Sequence, residues 1–391
     1  MSEGSKSTGR RTFRTLGTLS GLGLSLVLPA ATAVSAPAEM PEIPFTHRYQ
    51  AVQHGGFVRA SNSGISCWRR VDPGVEPCAA VRRGAAAVNS NFDMLYSDVD
   101  QDPNTYNATR AELLLPPGAR VTYARLYWGG NLRVGEQKPP EDNGRVLVAE
   151  PGGSYKDVLA DTKVGHRDGD ESDAYQASAD VTPLVRRFGG GLWTVAQLNI
   201  AKGSSDAGAW GGWTLVVAYE KADEPLRQLS LWDGFTALGE DPDADPDGDA
   251  EDREGDEGED DVRPADTGRT VELTGLDVPA RGAGRVGVVG YDGDRGVRGD
   301  SLTVTASSGR RTNIGDAENP FNDVLNSTIT DFGRSAFKRQ PDYMNNLGYD
   351  ADVFDLGPAL SEGARSLRFR FGAENQGQFV GVLFVQADAR R

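Results

Sequence analysis

Three groups of acidic residues are candidate calcium ligands. The first group consists of Asp98, Asp100 and Asp102. Carboxylates this close repel one another unless something neutralises them, and a calcium ion does so with oxygen ligands. Asn104 could add a ligand, whereas Pro103 stands where a bend-permitting glycine would be expected. The alternative is a loop whose carboxylates all face water.

The second group lies in the run YDGDRGVRGD, between two strand-like segments, and consists of Asp292, Asp294 and Asp300. A glycine-rich loop with alternating aspartates could fold around a cation. Arg295 and Arg298 could neutralise the same carboxylates instead. Both interpretations stay open from the sequence.

The third group belongs to a strongly acidic segment. Its members are Asp243, Asp245, Asp247 and, after Gly248 and five further residues, Glu254. This spacing satisfies the calcium-loop pattern of alternating oxygen ligands around a glycine. Residues 240–261 hold fourteen acids and one base, so a match arises easily in this tract. A disordered, solvated acidic linker is therefore the simpler interpretation.

Charge is concentrated in that acidic segment. The whole chain carries −16, of which residues 240–261 supply −13 and all other residues −3. No basic stripe is present that could neutralise phosphates, so we do not expect a nucleic acid partner.

Patterns typical of catalysis do not occur in the sequence. There is no His-Glu-x-x-His, no Gly-x-Ser-x-Gly and no phosphate-binding loop. His47, His54 and His166 are scattered, and His166 is interpreted as an exposed loop residue. Paired carboxylates could serve a glycoside hydrolase, but the acids are too numerous to single out a pair. We therefore expect a protein that is not an enzyme.

Two tryptophans are candidate ligand-binding residues. Trp128 ends a strand-like run, and Trp213 follows two glycines at the start of another. Aromatic side chains exposed at strand ends can stack on sugars or on partner surfaces. Burial in the core of a sandwich is the alternative.

The N-terminus has the order of a secretory signal peptide, which we predict over residues 1–38. Basic residues at Arg10, Arg11 and Arg14 precede a short apolar run, residues 16–28, and an Ala-x-Ala site. The arginine pair is compatible with the twin-arginine route as well as the general secretory route. The apolar run is too short for a spanning helix, so we expect no transmembrane segment in the mature chain.

The cysteine content agrees with export. Cys67 and Cys78 are the two cysteines of the chain. In an exported protein a pair this close predicts a disulfide that closes a small loop.

The composition predicts that β-strands position the candidate acidic groups and tryptophans. The chain contains 49 glycines and 21 prolines, and its aromatic and β-branched residues cluster in short runs. A repeated order of segments indicates two related units, with Asp180-Val181 matching Asp352-Val353. We predict an all-β fold of two antiparallel, jelly-roll-like β-sandwich units in tandem. The units cover residues 39–235 and 269–391, and an acidic linker covers 236–268.

Several long blocks of sequence, taken together and in order, carry a family resemblance. They are NFDMLYSDVD, LLLPPGARVTYARLYWGG, YQASADVT, GGWTLVVAYE, PLRQLSLWDGF, VGVVGYDGDRGVRGDSLTV, LNSTITDFG and PDYMNNLGYDADVFD. The series, roughly residues 55–388, resembles the uncharacterised N-terminal module of large bacterial surface proteins, which often precedes conserved repeat domains. The resemblance implies an exported, surface-associated β protein and transfers no catalytic residues. The chain departs from the pattern in its acidic segment and in lacking downstream repeats and an anchor.

The sequence thus favours a secreted, non-enzymatic β-sandwich protein with a structural or adhesive role at the bacterial cell envelope. Calcium stabilisation is a further hypothesis, and an envelope or extracellular polymer is the expected partner. An extracellular carbohydrate-binding protein is the alternative, and a glycoside hydrolase is a third.

Overall fold

The computed structural model describes residues 37–239 and 268–390, apart from Gln101, Glu171, Ala336, Asn375 and Gln376. The predicted signal peptide lies outside the described residues, except for its last two positions. Most of the predicted linker lies outside them as well. Four candidate calcium ligands therefore have no described position: Asp243, Asp245, Asp247 and Glu254.

The regular secondary structure of the described residues is almost all β-strand, with very little helix, which confirms the all-β prediction. In chain order the strands are β1 (Glu39–Met40), β2 (Ile43–Ser63), β3 (Ile65–Arg70), β4 (Phe92–Tyr96), β5 (Ala108–Leu113), β6 (Arg120–Asn131), β7 (Arg145–Ala149), β8 (Lys156–Leu159), β9 (Val164–Asp168), β10 (Asp173–Asp180), β11 (Gly191–Ala196), β12 (Gly211–Glu220), β13 (Leu226–Ala237), β14 (Arg269–Leu273), β15 (Gly284–Tyr291), β16 (Ser301–Ala306), β17 (Arg311–Ile314), β18 (Arg339–Gln340), β19 (Tyr349–Asp355), β20 (Leu367–Gly372) and β21 (Phe379–Asp388). Helices are short, namely α1 (Cys78–Val81) and α2 (Thr182–Phe188), with 3₁₀ turns at Asn89–Asn91 and Pro140–Asp142. Within the described ranges, no helix has the length and apolar character needed to cross a membrane.

The strands form one large sheet and three smaller ones. The ten-stranded sheet has the order β1-β9-β10-β6-β12-β2-β13-β21-β15-β19. The others are β18-β5-β11-β7-β8, β14-β20-β16-β17 and the pair β3-β4. The short β1–β9 pairing is parallel, and the pairs on both sides of β2 are antiparallel.

Two hydrophobic cores lie between these sheets. The first joins β6 and β12 to the five-stranded sheet, for example through Leu126, Trp213 and Trp193. The second joins β15 and β21 to the four-stranded sheet. Strand β21 contributes to both, because Phe384 packs in the first core while its neighbour Leu383 packs in the second. The apolar run at the end of the chain is explained by this burial on both faces.

Strand β2 connects the two parts of the large sheet, because it pairs with both β12 and β13. Its first part pairs with β13 and its second part with β12. The change of partner falls at Gly55, whose φ is +133° and where a Cβ would lie 2.1 Å from the carbonyl oxygen of Tyr219. Glycine is needed for this approach. Since β13 pairs with β21 on its other side, the sheet runs continuously from the first half of the chain into the second. The boundary at residues 236–268 stays a prediction.

The predicted disulfide is confirmed. Cys67 on β3 is bonded to Cys78 at the start of α1, with 5.7 Å between their Cα atoms. The two cysteines are eleven residues apart in sequence, and their bond holds the loop between β3 and α1 to the β3-β4 pair.

His166 is not an exposed loop residue, which corrects the sequence interpretation. It lies on β9, between carboxylates from the two neighbouring strands. Its Nδ1 is 2.7 Å from Oε2 of Glu39 on β1, and its Nε2 is 2.6 Å from Oδ1 of Asp173 on β10. The hydrogen bond to Asp173, supported by Glu39, raises the pKa of His166 to about 9.

The position of His166 predicts a loss of stability in alkaline solution. Because its folded pKa is above the unfolded value of about 6.5, the stabilisation is complete below pH ~6.5 and disappears as the pH rises through about 9. We expect the free energy of unfolding to fall over this window, and the difference between the wild type and His166→Gln to shrink with it. Urea unfolding at a series of pH values measures this. A difference independent of pH would contradict the assignment.

Candidate functional site

The first predicted calcium loop connects β4 to β5. Its aspartates face their own backbone in successive turns. The backbone amide of Asp102 donates to Oδ1 of Asp100, and that of Asn104 donates to Oδ1 of Asp102, both over 2.9 Å. Asp98 accepts from the amide of Asp100 in the same way. This is the local hydrogen bonding by which aspartates shape turns. Calcium at this loop stays a prediction.

A small cleft on one side of this loop is here called the Trp68 cleft. It has a volume of about 260 Å³. Its lining includes Ser66, Trp68, Arg82, Ser97, Asp98 and Tyr343. Trp68 is 59 % exposed, although it is a large apolar side chain. Sequence reasoning missed this residue. Its position beside Cys67, on a short strand tied by the disulfide, was the available signal.

The walls of the Trp68 cleft are held in place by stacking and hydrogen bonds. The Arg82 guanidinium lies 4.8 Å from the ring centre of Tyr343 and donates to the carbonyl oxygen of Cys67. The Arg69 guanidinium lies 5.4 Å from the ring of Trp68. The disulfide fixes the strand that carries Trp68. An aromatic platform beside fixed polar groups is suited to a ligand with both apolar and hydroxylated faces.

A second cleft, the Asp100 cleft, is also lined by residues of this loop. Its volume is about 660 Å³. Its lining includes Asp100, Asp102, Arg110, Glu150, Tyr155 and Thr194, so it is polar and carries both signs of charge. The first predicted calcium group therefore lines two clefts, with Asp98 in one and the other two aspartates in the second.

Two carboxyl groups of the Asp100 cleft, Asp100 and Glu150, have pKa values below their ordinary range. Burial raises the pKa of Asp100, but hydrogen bonds from the Tyr155 hydroxyl and the Asp102 amide lower it by more. The net result is a pKa below the ordinary value. The hydrogen bond from the Lys156 ammonium lowers the pKa of Glu150. A glycosidase acid needs the opposite, a carboxyl group that keeps its proton near neutral pH.

A third cleft, of about 460 Å³, surrounds Asp233 on β13. That carboxylate is already neutralised. Arg48 donates two hydrogen bonds to it, of 2.8 and 2.7 Å, and the Tyr127 hydroxyl donates a third of 3.1 Å. Arg125 Nε lies 3.6 Å away. These contacts hold the Asp233 carboxylate in place between two arginines and a tyrosine.

The prediction that Trp128 and Trp213 bind a ligand is wrong. Both side chains are fully buried in the first core and face each other across β6 and β12. The indole nitrogen of Trp128 donates to the carbonyl oxygen of Asn143, and that of Trp213 donates to Oγ1 of Thr109, each over 2.8 Å. The alternative reading, burial in a sandwich core, is correct.

The aspartates of the second predicted calcium group accept hydrogen bonds from two different segments of the chain, and calcium binding by them stays a prediction. Asp292 and Asp294 accept hydrogen bonds from the side chain and backbone amides of Asn89, over 2.6 and 3.1 Å. Asp300 is buried as well, and its Oδ1 accepts from the amides of Val324 and Leu325. Burial raises the pKa of Asp294 to about 7 and that of Asp300 to about 6.

Two further buried aspartates, Asp350 and Asp352, were missed. They alternate along β19 and both face inward. Throughout residues 37–239 and 268–390, with the gaps noted above, no three His, Cys, Asp or Glu side chains come together as a metal-binding group.

Comparisons with known proteins do not place the chain in a family. No family model matches it, and no curated protein matches it. Among solved structures it is similar to a peptide-N(4)-(N-acetyl-β-D-glucosaminyl) asparagine amidase, with 11 % identity and a TM-score of 0.22 over 86 % of this chain and 97 % of that one. It is also similar to the major capsid protein P2 of bacteriophage PM2, with 10 % identity and a TM-score of 0.20 over 85 % and 98 %. Likenesses this weak carry no functional argument.

Proposed function

We propose that this protein is a non-enzymatic, adhesive β-sandwich protein of the bacterial cell exterior that binds a polysaccharide through the Trp68 cleft. The observation that carries the proposal is Trp68, an exposed indole on a strand held by a disulfide. Exposing an indole forgoes the stabilisation of burying it, so an exposed one in a cleft favours a binding role.

A sugar chain fits the chemistry of this cleft better than a purely apolar ligand. The indole offers a flat face to the C–H groups of a sugar ring. Arg82, Asp98 and the serines at 66 and 97 offer donors and acceptors for its hydroxyl groups. A long polymer could cross the loop at Asp98 and reach the Asp100 cleft, whose charged and hydroxyl groups suit the same chemistry.

The absence of catalysis is part of the proposal. Its support is that the lowered pKa values of Asp100 and Glu150 do not suit a general acid. Export is also part of the proposal, supported by the order of the N-terminal sequence and by the disulfide, a bond that persists in oxidising compartments. Membership of the surface-protein module family remains a proposal from the sequence blocks.

The test is retention on insoluble polysaccharides, including isolated bacterial cell wall, chitin and cellulose. We expect the wild type to be retained on at least one of them and Trp68→Ala to lose at least tenfold in affinity. Trp68→Phe should keep part of the binding, since it preserves an aromatic face. Leu114→Ala, which alters a half-exposed apolar side chain outside the cleft, is the matched control and should bind as the wild type does.

Each outcome has a clear meaning. Retention that survives Trp68→Ala would move binding away from this cleft. No retention on any of the polymers would overturn carbohydrate binding. Release of reducing sugar from a bound polymer would overturn the non-enzymatic part of the proposal.

A further inference from the structure

The third cleft, here called the Asp233 cleft, lies between two parts of the large sheet and shares no lining residue with the Trp68 cleft. Strands β2 and β13 line one side, and β10 with the residues just before β9 lines the other. The side-chain amide of Gln176 on β10 donates to the carbonyl oxygen of Gly234 on β13 over 2.7 Å and joins the two sides. The volume of about 460 Å³ suits a small organic molecule.

The side-chain acceptors at the base of the Asp233 cleft are already occupied. Among the described residues that line it, Asp233 is the one carboxylate, and its two oxygens receive hydrogen bonds from Arg48 and Tyr127. The amide oxygen of Gln176 accepts from the Tyr291 hydroxyl over 2.9 Å. A cationic ligand would therefore find no unoccupied carboxylate among these residues.

Basic groups in the same cleft keep unused donors. Arg48 donates to Asp233 through Nε and Nη2, whereas its Nη1 has no acceptor within the described ranges. The exposed Lys163 places its ammonium 3.0 Å from the thioether sulfur of Met40, a weak acceptor, and forms no salt bridge with any carboxylate that the structure describes. Thr46 adds a hydroxyl group two residues before Arg48, on the same face of β2. These donors are suited to an anion.

The charge balance of the Asp233 cleft is positive. The buried guanidinium of Arg125 pairs with Asp233 over 3.6 Å and with Asp161 at the surface. Three bases, Arg48, Arg125 and Lys163, therefore meet two carboxylates, which leaves one net positive charge. A ligand with a single negative charge would balance it, whereas a doubly charged phosphate would exceed it.

Part of the lining is apolar. Met40 belongs to β1, and Ile43 and Pro44 begin β2. An apolar ligand body can pack against these side chains while a charged group meets the basic ones, which is the usual combination in small-molecule pockets. A hydroxyl-rich or wholly inorganic anion would leave this part of the lining unused.

We propose that the Asp233 cleft binds a small organic monocarboxylate with an apolar body, and that Nη1 of Arg48 and Nζ of Lys163 hold its carboxylate. Charge-assisted hydrogen bonds from arginine and lysine to a carboxylate are among the strongest that proteins form. The site goes beyond the proposed polysaccharide binding, because it has its own lining and its own ligand class.

The experiment is isothermal titration calorimetry of the purified protein with benzoate as the probe. Benzamide has the same ring without the charge, glucuronate carries a carboxylate on a hydroxylated body, and inorganic phosphate is an anion without an apolar body. We expect benzoate to bind at least tenfold more tightly than benzamide and more tightly than the other two anions. Added salt should weaken benzoate binding, because it screens the attraction between the charges.

Variants of Lys163 place the binding in this cleft. Lys163→Glu puts a repelling charge beside the carboxylate and should weaken benzoate binding at least tenfold, whereas Lys163→Arg keeps the charge and should keep most of the affinity. Lys338→Glu, which reverses the charge of an exposed lysine outside the cleft, is the matched control and should bind as the wild type does. Both lysines are exposed, so the variants should fold, and their unfolding midpoints check this.

Four results would overturn the proposal. The first is the absence of benzoate binding at millimolar concentrations. The second is equal binding of benzamide, which would remove the role of charge. The third is tighter binding of glucuronate or phosphate, which would remove the role of the apolar lining. The fourth is an unchanged affinity in Lys163→Glu, which would move the binding elsewhere. None of these results depends on polysaccharide retention.

Discussion

Replacing Asp233 by alanine is expected to lower the free energy of unfolding by about 3–5 kcal/mol, the cost of breaking a buried ion pair from one side. Asp233 is 4 % exposed and neutralises Arg125, whose side chain is 3 % exposed. The variant leaves that guanidinium in the protein interior with its inner partner gone. It also leaves the buried Tyr127 hydroxyl without its acceptor. Urea unfolding monitored by tryptophan fluorescence measures the change.

Asp161→Ala is the matched control, because Asp161 pairs with the same arginine from the surface. Its side chain is 43 % exposed, so its loss should cost less than about 1 kcal/mol. Water can take the place of the exposed Asp161 carboxylate beside Arg125, whereas it cannot reach the place of the buried Asp233 carboxylate. Equal losses for the two variants would show that burial does not decide the strength of this pair.

Trp213→Ala is expected to lower the free energy of unfolding by about 3–5 kcal/mol. The substitution removes a fully buried indole and leaves a cavity between β12 and the five-stranded sheet. The hydrogen bond that Thr109 accepts from the indole is lost as well. The effect should appear in stability and not in polysaccharide affinity under conditions where the variant is folded. Denaturant unfolding and retention assays on the same preparations separate the two.

For Trp68→Ala we expect the reverse, a loss of polysaccharide affinity without a loss of stability. Its side chain is exposed, so the free energy of unfolding should change by less than about 0.5 kcal/mol, while the affinity for polysaccharide falls. A Trp213→Ala variant as stable as the wild type would contradict the burial described for the first core.

The all-β class and the disulfide could be predicted because they depend on local signals. Short apolar runs between glycines and prolines indicate strands whatever their partners, and two cysteines eleven residues apart leave one intramolecular pairing. Tryptophan exposure could not be predicted in this way. Almost every residue of β12 is buried, since layers cover both faces of the sheet, and the usual alternation of inner and outer positions is lost.

The burial of the aspartates in the second half of the chain could not be predicted from local sequence patterns either. In YDADVFD, alternating aspartates on a strand suggest a polar outer face, yet Asp350 and Asp352 point inward to meet the loop at residues 323–330. That loop reaches them through contacts between distant parts of the chain, which no local pattern encodes. The aspartates at 98, 100 and 102 turn towards neighbouring amides, so their spacing reflects loop shape in the described structure.

The order of strands β2, β13 and β21 in the large sheet has a mechanical consequence. Residue 43 begins β2 at the end of the sheet where β21 also begins, whereas β21 finishes at the opposite end, level with residue 53 across β13. A pull between residues 37 and 390 would first detach the two-residue strand β1. It would then drag β2 and β21 in opposite directions along β13. The hydrogen bonds on both sides of β13 would be loaded together in shear, not opened one at a time. Hydrogen bonds loaded in shear must break together, so this geometry resists tension better than one in which they open one at a time.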